Sequence, residues 1–324
     1  MNILEEIKGA STIGIGGHLR PDGDCIGASM GLYLYLIKAC PEAKVEIFLE
    51  KPADVFSCIS KIDQIHTDFA TEVEQFDVFI ALDTSKERLG EARGYFEHAK
   101  KRINIDHHVS NSGCGDVDHI RPKASSTSEL VYEMIGDKSL IDEEIAKALY
   151  IGIIHDTGVF QYSNTSPATL KIAAELVAYG FDFSKLIEET FYEKTYVQTQ
   201  ILGRALLESI LFMNGKCVVS MVDKKTMKFY KAQPYDLEGI VSQLRNIKEV
   251  ECAIFMYQLD TLEYKVSLRS GGKVDVAKIA SFFGGGGHKR AAGVTMQGTF
   301  HDIVNNLSAH IDAQLKEIGK QAED

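Results

Sequence analysis

Asp106, His107 and His108 follow one another at the end of the apolar run 103–106, INID. Each of these side chains can bind a metal ion or move a proton. Two further groups share that chemistry. His18, Asp22 and Asp24 lie in GGHLRPDGDCIG, where Pro21 and Gly23 favour a turn that aims both carboxylates one way. Asp83 ends the run FDVFIALD, and a fourth candidate, His155 with Asp156, ends the apolar stretch ALYIGIIHD. Taken singly, each has an ordinary explanation, since an Asp after a strand caps a helix and PDGD is a common turn. Several such groups at one edge of one sheet would be an odd way to cap helices.

The donors are carboxylates and imidazoles without thiolates, which suits manganese, with iron, cobalt, magnesium or zinc as alternatives. Four carboxylates and two imidazoles exceed what one ion with an open position needs. They suit two divalent ions roughly 3.5–4 Å apart that share a bridging carboxylate, activate a water and clamp the oxygens of a phosphoryl centre. One histidine of the adjacent pair can then bind metal while the other faces the phosphate.

The elements that must carry these groups read as an α/β chain. Residues 11–17, 44–50, 76–83 and 101–106 read as strands, with helices expected at 25–39, 53–60 and 86–99. Strands alternating with helices predict a parallel sheet, and the first three groups fall at its carboxyl edge, where open α/β sheets bind ligands. A mostly helical part follows. It includes 125–136, with Ser126 and Glu129 at capping-box spacing, and 166–180, with Pro167 early and Gly180 late. The stretch 184–210 reads as one long helix. The second half restarts with strands around Asn214-Gly215, a hairpin signal. A helix is expected at 235–247, paired strands at 251–259 and 262–270, a short helix at 275–283 and a last helix near 300–316. The expected division is a parallel-sheet domain at 1–190, a helical connector at 191–212 and a smaller α+β domain at 213–324, with the active site in the cleft between the two domains.

The chain has 324 residues, suits about two domains, and is 45% hydrophobic, which excludes disorder. A net charge of −11 excludes a protein that grips long nucleic acid by neutralising phosphates. A short nucleotide remains a suitable partner if metals or a local basic patch supply charge. The stretch 269–290 is such a patch, with Arg269, Lys273, Lys278, Lys289 and Arg290 against Asp275. Lys273 and Lys278 read as a solvated helix face, and Arg269 and His288 as substrate contacts. Gly284, Gly285, Gly286 and Gly287 read as a loop whose N–H groups make an anion nest. Six scattered cysteines form no C-x-x-C pair, so neither a zinc ribbon nor a redox motif is indicated. The start lacks a basic n-region and no apolar run reaches roughly 20 residues, so the expectation is a cytoplasmic protein without a membrane partner.

HLRPDGD, ALDTS, NIDHHVSN and GIIHDTG resemble, in order, the four motifs of the DHH phosphoesterase superfamily. GGGGHKRAAG, with SLRS before it, is similar to the signature of the DHH-associated C-terminal domain of its exonuclease branch. Two-domain chains of this size resemble the oligoribonuclease (nano-RNase) and 3′-phosphoadenosine-5′-phosphate (pAp) phosphatase group. ASSTSELV at 124–131 also matches that group. The resemblance implies that His18, Asp22 and Asp83 hold one ion and that Asp24, Asp83, His107 and Asp156 hold the other. It implies that His108 touches the scissile phosphate, that Asp106 orients a histidine, and that the protein forms a homodimer. The implied activity is manganese-dependent hydrolysis of RNA fragments of a few nucleotides, and of pAp, to mononucleotides.

Two positions depart from the pattern: His155 stands where many members have Thr, and Gln161 where many have Arg. Alternatives are a hydrolase of linear or cyclic dinucleotides such as pApA, and a nucleotide-binding regulator without catalysis, which the full donor set argues against. A family II inorganic pyrophosphatase shares the first-domain motifs but has a different second domain.

Overall fold

A computed structural model of the chain describes residues 1–321 and divides it into two compact units, Met1–Glu193 and Lys194 onward. The first unit is built on five parallel strands in the order β2-β1-β3-β4-β5. They are β1 (Thr12–Gly16), β2 (Lys44–Phe48), β3 (Val78–Leu82), β4 (Lys101–Asp106) and β5 (Val117–Ile120). Central β3 is buried along its whole length, which is why VFIAL reads as an unbroken apolar run. β5 was not expected: VDHI is an edge strand, mostly half-buried and too polar to read as one.

The helices of this unit are α1 (Ile3–Glu6), α2 (Gly23–Ala39), α3 (Arg93–His98), α4 (Thr127–Met134), α5 (Glu143–Asp156), α6 (Pro167–Val177) and α7 (Phe183–Ile187). Two expected helices are mostly not α-helical. At 53–60 only a 3₁₀ turn forms, Asp54–Phe56, because Val55, Ser57, Cys58 and Ser60 are weak helix formers. At 86–99 two 3₁₀ turns precede α3, and Gly90 turns left-handed at φ 57°. The long helix expected at 184–210 is broken. α7 runs into a π turn, Glu188–Tyr192, and Thr195 starts a new helix with a full capping box to Gln198.

The second unit is a six-stranded sheet in the order β10-β11-β9-β8-β7-β6. Its strands are β6 (Ile210–Phe212), β7 (Cys217–Val222), β8 (Cys252–Asp260), β9 (Glu263–Ser270), β10 (Gly286–His288) and β11 (Ala291–Gln297). The Asn214-Gly215 hairpin joins β6 to β7, with both residues left-handed. The helices are α8 (Tyr196–Leu207), α9 (Lys224–Tyr230), α10 (Ile240–Arg245), α11 (Val276–Phe282) and α12 (Phe300–Gln321). α8, inside the expected connector, buries Ile201 and Ala205 against Val218, Leu237 and Phe255 of this unit. The helix expected at 235–247 is a 3₁₀ turn and α10, split at left-handed Gly239 (φ 83°). Among the described residues no helix is long and apolar enough to cross a membrane.

Candidate metal centre

The parallel register brings the ends of β1, β3 and β4 to one edge, pairing Gly16 with Ala81 and Leu82 with Ile105. His18 follows β1 and is buried. Asp22 is the N-cap of α2, its Oδ1 accepting the N–H groups of Asp24 and Cys25 at 3.1 Å each. The same oxygen lies 3.6 Å from His18 Nε2, so capping α2 does not take this carboxylate away from the histidine. Asp83 continues the ladder beyond β3 through its N–H to Ile105 O, then adopts a left-handed φ of 56°. That conformation costs a non-glycine residue about 1–3 kcal/mol and is tolerated where the surroundings enforce it. Asp83 Oδ2 is 3.5 Å from His18 Nε2, and its Oδ1 is 3.6 Å from His107 Nε2. One buried carboxylate thus faces two imidazoles through different oxygens.

Asp24 is held from a distant part of the chain. Its Oδ2 accepts the N–H of Thr127 at 2.6 Å and its Oδ1 that of Ser128 at 2.9 Å, so the positive end of α4 cradles it. Thr127 Oγ1 also donates to Asp83 Oδ1 at 3.0 Å. Ser126 caps α4 by accepting the N–H of Glu129, as its spacing suggests. The reciprocal bond is missing, because the Glu129 carboxylate takes the hydroxyls of Ser125 and Thr169 instead. Asp156 ends α5, which crosses α2 backbone to backbone: a Cβ on Gly27 would lie 2.6 Å from Ala148 O and from Gly152 N. This crossing brings Asp156 Oδ2 to 3.3 Å from His107 Nε2, with Asp24 Oδ2 3.9 Å from the same nitrogen.

His108 differs from its neighbour. Its Nδ1 lies 2.7 Å from Asp106 Oδ1, which also accepts the His108 N–H at 3.0 Å. Asn111 Nδ2 donates to Asp106 Oδ2 at 2.6 Å and contacts Asn104 Oδ1 and Thr84 O. Burial works against the charge on Asp106, yet the bonds from His108 and Asn111 hold it below the usual carboxylate range.

The charges are crowded. Burial, reinforced by Asp83 and Asp156, pushes Asp24 well above the usual carboxylate range. Burial also raises Asp156 to about 6, with His107 opposing and Asp83 and Asp22 adding to it. Burial disfavours a charged His18, but Asp22 and Asp83 outweigh it and raise the ring to about 10. Such a site holds protons that a divalent cation would displace, which couples metal binding to proton release. Oxygen and imidazole donors converge in overlapping groups, and this donor set fits divalent ions. Cys25, passed over in the sequence, is buried and lies within ligating reach of His18 and Asp83.

In the second unit, β9, β11 and β10 place Arg269, Ala291 and His288 in one cross-strand row, so both expected substrate contacts share a sheet face. The expected anion nest is not met at its first two glycines. The N–H of Gly284 goes to Ser281 O at 3.1 Å and that of Gly285 to Ala280 O at 2.8 Å, a Schellman cap that ends α11. Gly286 and Gly287 lie in edge strand β10, where a Cβ on Gly287 would come within 2.4 Å of Ala291 O. Both departures from the family pattern lie outside the donor groups. His155 packs over Gly23 and between Phe56 and Phe191, with ring centroids 5.2 and 5.4 Å away, and Gln161 is exposed.

Residues 12–153 match the DHH family, N-terminal domain, and residues 214–317 match the DHHA1 domain. A probable bifunctional oligoribonuclease and PAP phosphatase NrnA of Streptococcus mutans is 30% identical over 298 residues, spanning 90% of this chain and 91% of that protein. The bifunctional oligoribonuclease and PAP phosphatase NrnA of Bacillus subtilis is 28% identical over 97% of this chain and 98% of that protein. The crystal structure of an exopolyphosphatase-related protein from Bacteroides fragilis matches with a TM-score of 0.88 and 26% identity, covering 99% of this chain and 96% of that one.

Proposed function

The chain belongs to the DHH family of metal-dependent phosphoesterases, and from that premise we propose that it hydrolyses short oligoribonucleotides and pAp to mononucleotides with two manganese ions. The observation that carries this reading is the placement of Asp83, whose oxygens face His18 and His107 separately. His18, Asp22 and Asp83 hold one ion, and Asp24, Asp83, His107 and Asp156 the other. Ions bound there supply an activated water and neutralise charge at phosphorus.

The chain's own residues do the rest. Asp106, held by Asn111, fixes the His108 ring through Nδ1, and the ring so oriented addresses an oxygen of the scissile phosphate. Both Asp106 and Asp83 lie close to His108 Nδ1, at 2.7 and 3.4 Å. They outweigh the cost of burial and raise the ring's pKa, which favours the protonated form that would stabilise charge developing in the transition state. The α4 N-terminus keeps Asp24 oriented without a bound partner having to order it. Arg269 and His288 contact the substrate through charge rather than base identity.

Turnover of pAp, short RNAs, pApA, cyclic dinucleotides and pyrophosphate, each with manganese, tests this reading. Release of mononucleotides from pAp and short RNAs is expected. Turnover confined to cyclic dinucleotides or pyrophosphate, or none at all, would overturn it.

A further inference from the structure

Asn164 sits beyond the donor groups, in the loop that follows α5. Its side-chain Nδ2 donates to the carbonyl oxygen of Ser125 at 2.8 Å and to that of Asp156 at 3.1 Å. These carbonyls belong to segments with separate duties. Ser125 directly precedes the N-cap of α4, whose first N–H groups hold Asp24 and whose Thr127 hydroxyl holds Asp83. Asp156 is the last residue of α5 and the third carboxylate around His107. One amide therefore ties the anchor of two carboxylates to the backbone of a third.

The loop is shaped to deliver that amide. Gly158, Val159 and Phe160 are consecutive left-handed residues, at φ 56°, 54° and 65°. Left-handed geometry is disfavoured for a β-branched residue and persists only where neighbours enforce it. Here Thr157 Oγ1 donates to Ile153 O and accepts the N–H of Phe160, while Tyr162 N–H returns to Thr157 O. Thr165 N–H then bonds Tyr162 O, closing the loop around Asn164.

We propose that Asn164 is a positioning residue that sets the spacing between Asp156 and the α4-anchored Asp24 and Asp83, and thereby the affinity for the ion these three share with His107. This rests on the two-ion reading above. Without the amide, two carbonyl oxygens that now share a donor repel each other, and Asp156 moves relative to its partners.

The test is manganese titration of the full chain, reading free Mn²⁺ by electron paramagnetic resonance, with a thermal melt alongside. Asn164→Leu keeps the branched shape and removes both donors; Asn164→Ala removes both without adding bulk. Expected is one of the two binding events weakened about 10-fold or more, the scale of outer-shell changes, and the other affected less, with the melting temperature within a few degrees of wild type. Wild-type affinity for both ions in Asn164→Leu would overturn the proposal. So would equal loss of both ions together with a large fall in melting temperature, which would mean that Asn164 only supports the fold. If wild type takes up a single ion, the two-ion reading fails on its own. The positioning role then stands if Asn164→Leu weakens that ion, and falls if it does not.

Discussion

His108 keeps its Nδ1 2.7 Å from Oδ1 of Asp106, and that oxygen also takes the backbone N–H of His108. The ring is locked from behind, while the adjacent His107 turns its Nε2 to Asp83 and Asp156. Neighbours in sequence therefore have different surroundings.

His107→Ala should weaken manganese binding by about 10-fold or more. His108→Ala should retain the metal and lower kcat about 100-fold or more, the scale for losing a preorganised donor. Asp106→Asn should follow His108→Ala in direction, by freeing the ring. Metal analysis and steady-state kinetics on the three variants check this; equal metal loss in both histidine variants would abolish the division of roles.

Gly27→Ala should push α2 away from α5, because its Cβ would meet Ala148 O and Gly152 N at 2.6 Å. Overpacking of this kind costs about 1–3 kcal/mol. The variant should melt lower and bind manganese more weakly, since Asp24 and Asp156 sit at that crossing. Unchanged stability would show that the helices have room to part.

Arg269→Ala should raise KM for pAp and short RNA about 10- to 100-fold, in line with a charge-assisted hydrogen bond worth roughly 1.5–3 kcal/mol. Hydrolysis of bis-p-nitrophenyl phosphate, which needs only the metal centre, should stay near wild type. Turnover should also fall steeply as RNA lengthens beyond a few nucleotides, because the chain carries a net charge of −11. Equal loss on both substrates would place Arg269 in the fold or the reacting centre.

Asp77 anchors the start of β1. Its carboxylate takes Lys100 Nζ and the N–H groups of Ser11 and Thr12, and these hold its pKa down at about 2. A depressed carboxylate stabilises the fold above its unfolded pKa of about 4 and loses that contribution as pH falls through the folded value. The stability gap between wild type and Asp77→Ala should be full at neutral pH and narrow as pH falls from about 4 to about 2. Urea denaturation across that range measures it; a gap that widens toward acid would reverse the sign.

Much of the first unit was legible because a strand buried on both faces reads as an apolar run, and β1, β3 and β4 each end within two residues of a candidate donor. β5 escaped because an edge strand such as VDHI carries no such run. The hold of α4 on Asp24 spans 103 residues and leaves no local pattern, although the capped run SSTSE marks the helix start. Asn164 was invisible for the same reason, since its partners are main-chain carbonyls. At Gly284 and Gly285 a C-cap stands in place of the expected nest, because a glycine directly after a helical pattern first satisfies that helix's last carbonyls. The break near 193–195 could have been found from Thr195 and Gln198 at capping-box spacing.

The shared carboxylate is tested most directly by the paramagnetic resonance spectrum of protein loaded with manganese. Asp83 facing His18 through one oxygen and His107 through the other predicts an exchange-coupled ion pair in the wild type. Asp83→Asn should lose that coupling, and turnover with it, while the fold survives. A wild-type spectrum of isolated, uncoupled ions at saturation, or near-normal activity in purified Asp83→Asn, would contradict a bridged pair.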